Sequence, residues 1–292
     1  MAGDPVDDAA GMKWWRAASW VLRAGVLIHA LGFFVAMHTR VGSSLGGIAL
    51  MDWGVAHGDI AFHERLWSKV LLALAVSLLI RPFAIVAMAV GGVFLVEAWA
   101  AWSFGGDPFY QWALFSQSLR YLAPLALGVL LFRRRPWNGL LAMGILRVGL
   151  AIVFIAHGLM AFYQHPGFID LLIGSTRNLT GWRLTESAAV RLLQVIGVVD
   201  VIVAVMVLVG RWRGLLLWLC LWSLITALSR MTSYGLMSYP ELLSRASHVL
   251  APVAVYGLGR WEDAALPEGW IAWMGGRFRR GGVGSGEAIG VG

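Results

Sequence analysis

Charged residues are scarce in this sequence of 292 residues. Asp, Glu, Lys and Arg together make up 13% of it, about half of the ~25% that is usual in soluble domains. Hydrophobic residues make up 59%, and the mean hydropathy is +0.73. The chain has too little polar surface to cover a globule in water. We therefore expect a multi-pass membrane protein embedded in a lipid bilayer.

Cysteine is almost absent, since Cys220 is the only one in the sequence. A single cysteine excludes an intramolecular disulfide, a CxxC pair and a thiolate metal cluster. It thereby excludes dithiol–disulfide exchange as a reaction of this chain alone. The Walker, HExxH and CxxCH motifs are also missing. The sequence therefore predicts no metal site and identifies no catalytic residue.

Eight apolar segments approach the length of about 20 residues that a helix needs to cross the hydrocarbon core. We predict an all-α polytopic membrane protein whose eight transmembrane helices form two parallel four-helix repeats. The segments lie at 14–38, 62–80, 83–104, 118–133, 139–163, 187–210, 213–232 and 245–261. The corresponding regions are a cytoplasmic tail (1–13), the first repeat (14–133), a linker (134–138), the second repeat (139–261) and a cytoplasmic Gly/Arg-rich tail (262–292).

Residues that recur about 128 positions apart indicate a duplication. His29 matches His157 at this offset, whereas Arg23 and Arg147 are 124 positions apart. The match between the first helices is therefore accurate only to about one helical turn. The clearest matches join two later segments, in which Ser116, Leu122, Ala123, Pro124 and Ala126 recur as Ser244, Leu250, Ala251, Pro252 and Ala254.

The basic residues predict the orientation of the chain. If the eight segments cross the membrane in alternating directions, the basic residues fall in loops on one side, and acidic residues occupy the longer loops on the opposite side. The positive-inside rule then places both termini in the cytoplasm of a bacterial inner membrane. The sequence pI of about 10.2 is explained by this topology, so we do not expect nucleic-acid binding. No A-x-A cleavage site follows the first apolar segment, which we expect to remain as an anchor.

The outward loop at 167–187 begins with an amphipathic stretch. We predict a short interfacial helix there, and we expect Thr185, Glu186 and Ser187 to start the next transmembrane helix.

Three charged residues lie deep within the predicted segments. Arg23 and Arg147 are each about 12 Å from the start of their helices, at 1.5 Å per residue, and an unpaired arginine at such depth is costly. Asp200 lies at a comparable depth, so we predict an Arg147–Asp200 ion pair as a structural feature. We expect Arg23 to snorkel or to meet a lipid headgroup.

A denser polar cluster is predicted in the outer half. Arg120 and Arg245 begin their segments, and Pro124 and Pro252 each leave free the carbonyl of the residue four positions earlier. A freed carbonyl beside a cationic or titratable side chain favours a polar pocket, although the prolines could simply kink the helices. We predict that Glu97 pairs with Arg120. The residues predicted to contact a substrate or quinone are His29, Glu97, Arg120, His157, Arg230 and His248.

The two membrane histidines, His29 and His157, lie near the middle of corresponding helices. They could ligate haem or donate a hydrogen bond to a quinone carbonyl, or they could serve packing alone. Ligands of a bis-histidine haem usually pair within one bundle, so we do not expect haem.

The second repeat contains a pattern of Arg147, Gly149, His157, Gly158 and a Pro-Gly-Phe turn at 166–168. This pattern resembles the start of the DoxX/DoxD-like four-helix membrane family, and the resemblance covers the second repeat. The first repeat resembles a diverged copy without the Pro-Gly-Phe turn. The resemblance implies quinone-coupled oxidation of small sulfur compounds or a place in a membrane redox complex, although many members have no assigned activity.

The leading hypothesis is an integral membrane subunit of a quinone-linked redox complex. Such a subunit would bind quinone or a small substrate in an outward-facing pocket and would have other membrane or periplasmic subunits as partners. The alternatives are a non-catalytic scaffold or assembly subunit, and a small-molecule or lipid carrier, which the repeats and proline-broken helices favour.

Overall fold

The computed structural model describes residues 9–39, 42–105, 108–133, 135–210 and 212–265. Every regular element in these residues is helical, and no strand occurs among them. The α-helices are α1 (Ala9–His38), α2 (Ser44–Met51), α3 (His57–Ile80), α4 (Ala84–Phe104), α5 (Ala113–Ser116), α6 (Ser118–Phe132), α7 (Pro136–Phe162), α8 (Pro166–Thr180), α9 (Glu186–Val209), α10 (Arg213–Tyr234), α11 (Tyr239–Leu243) and α12 (Ala246–Ala265). Short 3-10 turns precede α5 and α11.

Six helical stretches of the described chain are long and apolar enough to cross a membrane. They are 10–38, 84–104, 110–132, 136–162, 186–209 and 213–234. The helices α3 and α12 fall outside this set. Four charged side chains lie within residues 59–69 of α3, and Arg260, Glu262 and Asp263 lie near the end of α12. The protein is therefore an all-helical, multi-pass membrane protein.

The helices differ from the predicted segments mainly at their ends. Residues 9–13, predicted as part of a tail, belong to α1, and α12 continues four residues beyond 261. Residues 1–8, 134 and 266–292, which contain parts of the predicted tails and linker, lie outside the described residues. The helices α2, α5 and α11 lie in segments that were predicted as loops.

Capping residues explain several helix boundaries. The Thr185 hydroxyl accepts a hydrogen bond from the backbone N–H of Ala188 and starts α9, as the sequence predicts. Pro136 and Pro166 occupy the first turns of α7 and α8, where a missing N–H costs nothing. Gly181 ends α8 with a φ of 74°, a conformation that glycine adopts without strain. The helix predicted in the loop at 167–187 is thus confirmed as α8.

The described chain divides into two halves, residues 9–132 and 136–265. The first helix of each half packs against the last helix of the other half. Extensive contacts join α1 to α12 and α6 to α7. Near one end, the Trp15 and Trp261 rings lie 5.0 Å apart and enclose Gly139 of α7. The core between these helices consists of aliphatic and small side chains, among them Leu22, Leu127, Leu146 and Leu258.

A close crossing of α7 and α9 determines how these two helices of the second half pack against each other. A Cβ atom on Gly158 would lie 2.8 Å from the Gly197 carbonyl oxygen, and one on Gly197 would lie 2.5 Å from the Gly158 carbonyl oxygen. Only glycine allows two backbones to approach so closely. In contrast, α9 and α10 hardly touch along their lengths, although a short turn joins them.

Candidate functional site

A cavity of about 440 Å³ lies between α7, α8, α9, α10 and the start of α12. We refer to it as the α7–α10 cavity. Its walls are mainly apolar, with Phe154, Phe168, Leu172, Leu193 and Ile196 among them. A volume of this size is typical of small-molecule sites, which span about 300–1,000 Å³. The polar side chains that line it are His157, Ser175, Asp200, Trp222, Ser223, Thr226, Ser229, Arg230, Thr232, Arg245 and His248.

Two histidines from the first and last helices of the second half of the chain meet at this cavity. The His157 ring, on α7, lies 6.1 Å from the His248 ring, on α12, in an edge-to-face arrangement. His157 Nδ1 lies 2.9 Å from the Val153 carbonyl oxygen, and His248 Nε2 lies 3.4 Å from the Ser116 carbonyl oxygen. A carbonyl oxygen only accepts, so these nitrogens carry the hydrogens. The other nitrogen of each neutral ring then holds a lone pair.

Two arginines lie at the end of the cavity near α8 and α11. Arg230, on α10, is 8% exposed and donates to the Thr226 carbonyl oxygen at 2.8 Å. Its Nε lies 3.3 Å from a carboxylate oxygen of Glu241, which is itself exposed. Arg245, half-buried between α11 and α12, lines the cavity. No hydrogen bond or ion pair joins the Arg245 guanidinium to another residue of the described chain.

The acidic group of the cavity, Asp200, lies at mid-helix on α9. Its carboxylate accepts a hydrogen bond of 3.1 Å from the Trp222 indole N–H. The predicted Arg147–Asp200 ion pair is wrong. Asp200 packs beside Gly158 of α7, which is eleven positions, or about 16 Å along the helix, beyond Arg147. The α7–α9 crossing sets this register.

Arg23 is half-buried, and its guanidinium lies 4.7 Å above the Trp20 ring, which is exposed. This cation–π contact stabilises the charge at the edge of the bundle.

Glu97 lies in the other half of the molecule. Its carboxylate accepts hydrogen bonds from the backbone N–H groups of Ser44 at 2.6 Å and Leu45 at 3.4 Å. Arg120 donates instead to the Gln117 side chain at 3.1 Å. The predicted direct Glu97–Arg120 ion pair is therefore wrong, because the amides at the start of α2 occupy the carboxylate, although the two opposite charges act on each other at longer range. That arrangement neutralises Glu97 through the partial positive charge of a helix N-terminus.

A second cavity, of about 710 Å³, lies between α2, α3 and α4. Glu97 and Glu64 line it together with Phe33, Phe94 and exposed tryptophans. Glu64 accepts hydrogen bonds from both the backbone N–H and the hydroxyl of Ser43. Both carboxylates therefore anchor the start of α2.

His29 lies between the two cavities and lines neither. Its buried ring stacks on Phe94 with centroids 4.0 Å apart, and its Nδ1 lies 3.5 Å from the Ser247 hydroxyl. His29 and His157 thus contact different partners rather than each other.

Of the six predicted ligand-contacting residues, the structure brings three to the α7–α10 cavity: His157, Arg230 and His248. Arg120 does not line it, but its charge acts on both cavity histidines. Arg245 was named in the predicted polar cluster but not among the predicted ligand contacts, and Trp222 was in neither set. Arg245 precedes its helix and resembles an ordinary flanking charge, whereas Trp222 resembles any of the other tryptophans in the apolar segments.

No family model, no curated protein and no solved structure matches the chain. The DoxX/DoxD-like resemblance of the second half therefore stays a prediction.

Proposed function

We propose that the protein binds a small membrane-resident molecule in the α7–α10 cavity. The observation that carries this proposal is the gap between α9 and α10, which both border the cavity but hardly touch each other. Ile225 and Leu228 line the cavity and are also exposed on the outer surface. The neighbouring surface of α9 is apolar, with Val195 and Val199 exposed. A molecule dissolved in the bilayer would reach the cavity through this gap.

We propose quinone as the ligand and a quinone-linked redox complex as the setting. A quinone combines an apolar body with two oxygens, which matches apolar walls that carry a few polar groups. The guanidinium of Arg245 can donate to a quinone carbonyl, and the lone pairs of His157 and His248 can accept from quinol hydroxyls. The resemblance to the DoxX/DoxD-like family adds to this reading. Further membrane or periplasmic subunits would supply the redox partner.

We also propose that α3 and α12 cross the membrane, which makes eight spans in two parallel repeats. Two observations support this. Long and short helices follow the same order in 9–132 and 136–265, and α6 and α12 start 128 residues apart. An Arg213–Asp263 ion pair joins α10 and α12 and partly neutralises the charge near the end of α12.

The topology proposal places both termini on the cytoplasmic side of a bacterial inner membrane, because the arginine-rich turns lie there. Fusions of a reporter protein to the C-terminus test it. A reporter that is active in the cytoplasm supports the arrangement. A reporter that is active only outside overturns it and places both cavities toward the opposite side of the membrane.

The quinone proposal is tested by purification of the full chain in mild detergent, followed by extraction and quantification of bound quinone. We expect close to one quinone per chain in the wild type. We expect a large loss in Ser223→Phe, which fills the cavity from α10. Leu221→Phe is the matched control, since Leu221 lies on the same helix and is exposed. Equal quinone in all three proteins would contradict the proposal.

A carrier of small molecules or lipids is the second candidate, favoured by Pro124 within α6 and Pro252 within α12. A proline inside a helix removes a backbone hydrogen bond and provides a point at which the helix can bend. Flux of a substrate through the lone protein in liposomes would favour a carrier. Co-purified subunits without quinone would instead indicate a scaffold.

A further inference from the structure

The charge at one end of the α7–α10 cavity is unbalanced. Arg230 and Arg245 line this end, and the charge of Arg120 also acts on the histidines there. Glu241 is the acid at this end, and it pairs with Arg230 from an exposed position. Asp200 lies farther along the cavity, at the level of Trp222. Glu97 also acts on Arg120, so Arg230 and Arg245 share Glu241 as the nearby carboxylate.

Arg245 is the cation that this arrangement leaves unpaired within the described chain. A guanidinium inside a protein at membrane depth is costly unless an anion or several hydrogen-bond acceptors accompany it. Its planar group of donors matches the geometry of a carboxylate or a phosphate. Glu241 acts on Arg245 only from a distance and forms its ion pair with Arg230, so a ligand is the natural source of an anion in direct contact.

The rest of the cavity indicates what the anion is attached to. Leu171 and Leu172 of α8 and Leu193 and Ile196 of α9 form a continuous apolar wall. The gap between α9 and α10 also borders the cavity, and the outer surface beside it is apolar. A fully hydrated ion would leave this wall in contact with water. In a molecule with an acidic head and an apolar tail, the tail would cover the wall and the head would neutralise Arg245.

We propose that the α7–α10 cavity selects an amphipathic anion. Its carboxylate or phosphate head binds Arg245 beside Arg230, and its apolar tail lies along α8 and α9 toward the gap between α9 and α10. This inference rests on the proposed function, since the cavity must hold a membrane-resident ligand, and it adds acidic amphipaths, which would compete with the uncharged quinone for the same site. An acidic amphipath would then bind more tightly than a neutral molecule of the same length.

The test compares radiolabelled dodecanoate with radiolabelled dodecanol, which share a chain length and differ in charge. Binding is measured on the full chain in nanodiscs of uncharged lipid, after subtraction of empty nanodiscs. We expect dodecanoate to bind at least ~10-fold more tightly, since a charge-assisted hydrogen bond contributes about 1.5–3 kcal/mol. Arg245→Gln should remove most of this preference, because the glutamine amide can still donate to a neutral oxygen but carries no charge. Arg245→Lys should restore part of it.

Arg183→Gln is the matched control, because Arg183 is an exposed arginine that does not line the cavity. Competition then identifies the source of the head group. Stronger displacement by lysophosphatidate indicates a lipid phosphate, and stronger displacement by unlabelled dodecanoate indicates a free carboxylic acid; either result supports the inference.

Equal binding of dodecanoate and dodecanol to the wild type would overturn the anion inference and leave the cavity as a ligand site. The same conclusion would follow if Arg245→Gln weakened both probes alike, because the arginine would then act on the fold. If neither probe bound the wild type, the proposed function would fail, and the inference would fail with it.

Discussion

The imidazole rings of His157 and His248 lie 6.1 Å apart, edge to face, although one belongs to α7 and the other to α12. Their hydrogen bonds differ, since one stays within a helix and the other joins two helices. His157 is bonded to the carbonyl of Val153 in its own helix. His248 reaches the carbonyl of Ser116 at the end of α5. One ring is therefore free of tertiary hydrogen bonds, and the other links two helices.

This difference predicts separate effects for two similar variants. His157→Leu should weaken quinone binding several-fold with little change in the unfolding temperature, because it breaks no bond between helices. His248→Leu should also lower the free energy of unfolding by about 1 kcal/mol, the usual net contribution of one hydrogen bond. Thermal unfolding and quinone titration of both variants in detergent provide the measurements. An equal loss of stability in the two would contradict the assignment.

The Asp200–Trp222 hydrogen bond gives a second prediction. Trp222→Phe keeps an aromatic ring but leaves the buried Asp200 carboxyl without its donor. We expect a loss of about 1–3 kcal/mol in the free energy of unfolding, the usual cost of an unsatisfied buried polar group. Trp222→Phe combined with Asp200→Leu should recover most of that loss. A double variant no more stable than the single one would show that Trp222 acts through packing instead.

A third prediction concerns the close crossing of α7 and α9. Gly158→Ala places a methyl group 2.8 Å from the Gly197 carbonyl oxygen and should cost about 1–3 kcal/mol, as overpacking does. Gly144→Ala is the control, since nothing lies within 4 Å of a Cβ atom at that position of the same helix. Its unfolding temperature should stay the same or rise slightly, because alanine favours helix. Similar losses in both variants would argue against a tight crossing.

These glycines also show why the sequence predicted the helices better than the site. Hydropathy and capping residues are local signals, so the apolar segments and the start of α9 at Thr185 could be read directly. The partner of Asp200 depends on the register of two helices, and Gly158 and Gly197 set that register through backbone contact. Counting residues from a helix end does not reveal it, so Arg147 was chosen instead of Trp222.

Glu97 illustrates a second limit. A buried carboxylate in a sequence suggests a cationic side chain as its partner, and Arg120 was the nearest choice. Its actual partners are the backbone N–H groups of Ser44 and Leu45. Backbone amides are present at every position, so they leave no signal in the sequence. The short helix α2, which aligns these amides, was itself predicted as a loop.

A fourth prediction concerns how the ligand enters. Helix α8 covers one end of the cavity and is held to α10 by several side-chain bonds, including those from Ser175 to the Ser229 carbonyl and from Asn178 to the Thr232 carbonyl. If the ligand enters between α9 and α10, locking α8 in place should not slow its exchange.

Cysteines at Gly174 and Ser233 would make this lock, in a background that carries Cys220→Ser. A Cβ atom on Gly174 would lie 3.2 Å from the Ser233 Cβ atom, close to the distance of about 3.5–4.5 Å in disulfides. Dissociation of a fluorescent quinone analogue from the oxidised and reduced forms is the measurement. We expect rates within about twofold. Arrest of exchange in the oxidised form alone would show that the ligand passes under α8.

The central claim is that a membrane-resident molecule occupies the α7–α10 cavity. Photocrosslinking of a diazirine-bearing quinone to the full chain in native membranes, followed by peptide mapping, tests it most directly. We predict labels within 153–161, 193–200 and 222–230, which line the cavity on three helices, and their loss on competition with unlabelled quinone. Labels confined to the exposed outer faces of the helices, or to α2, α3 and α4, would contradict the account.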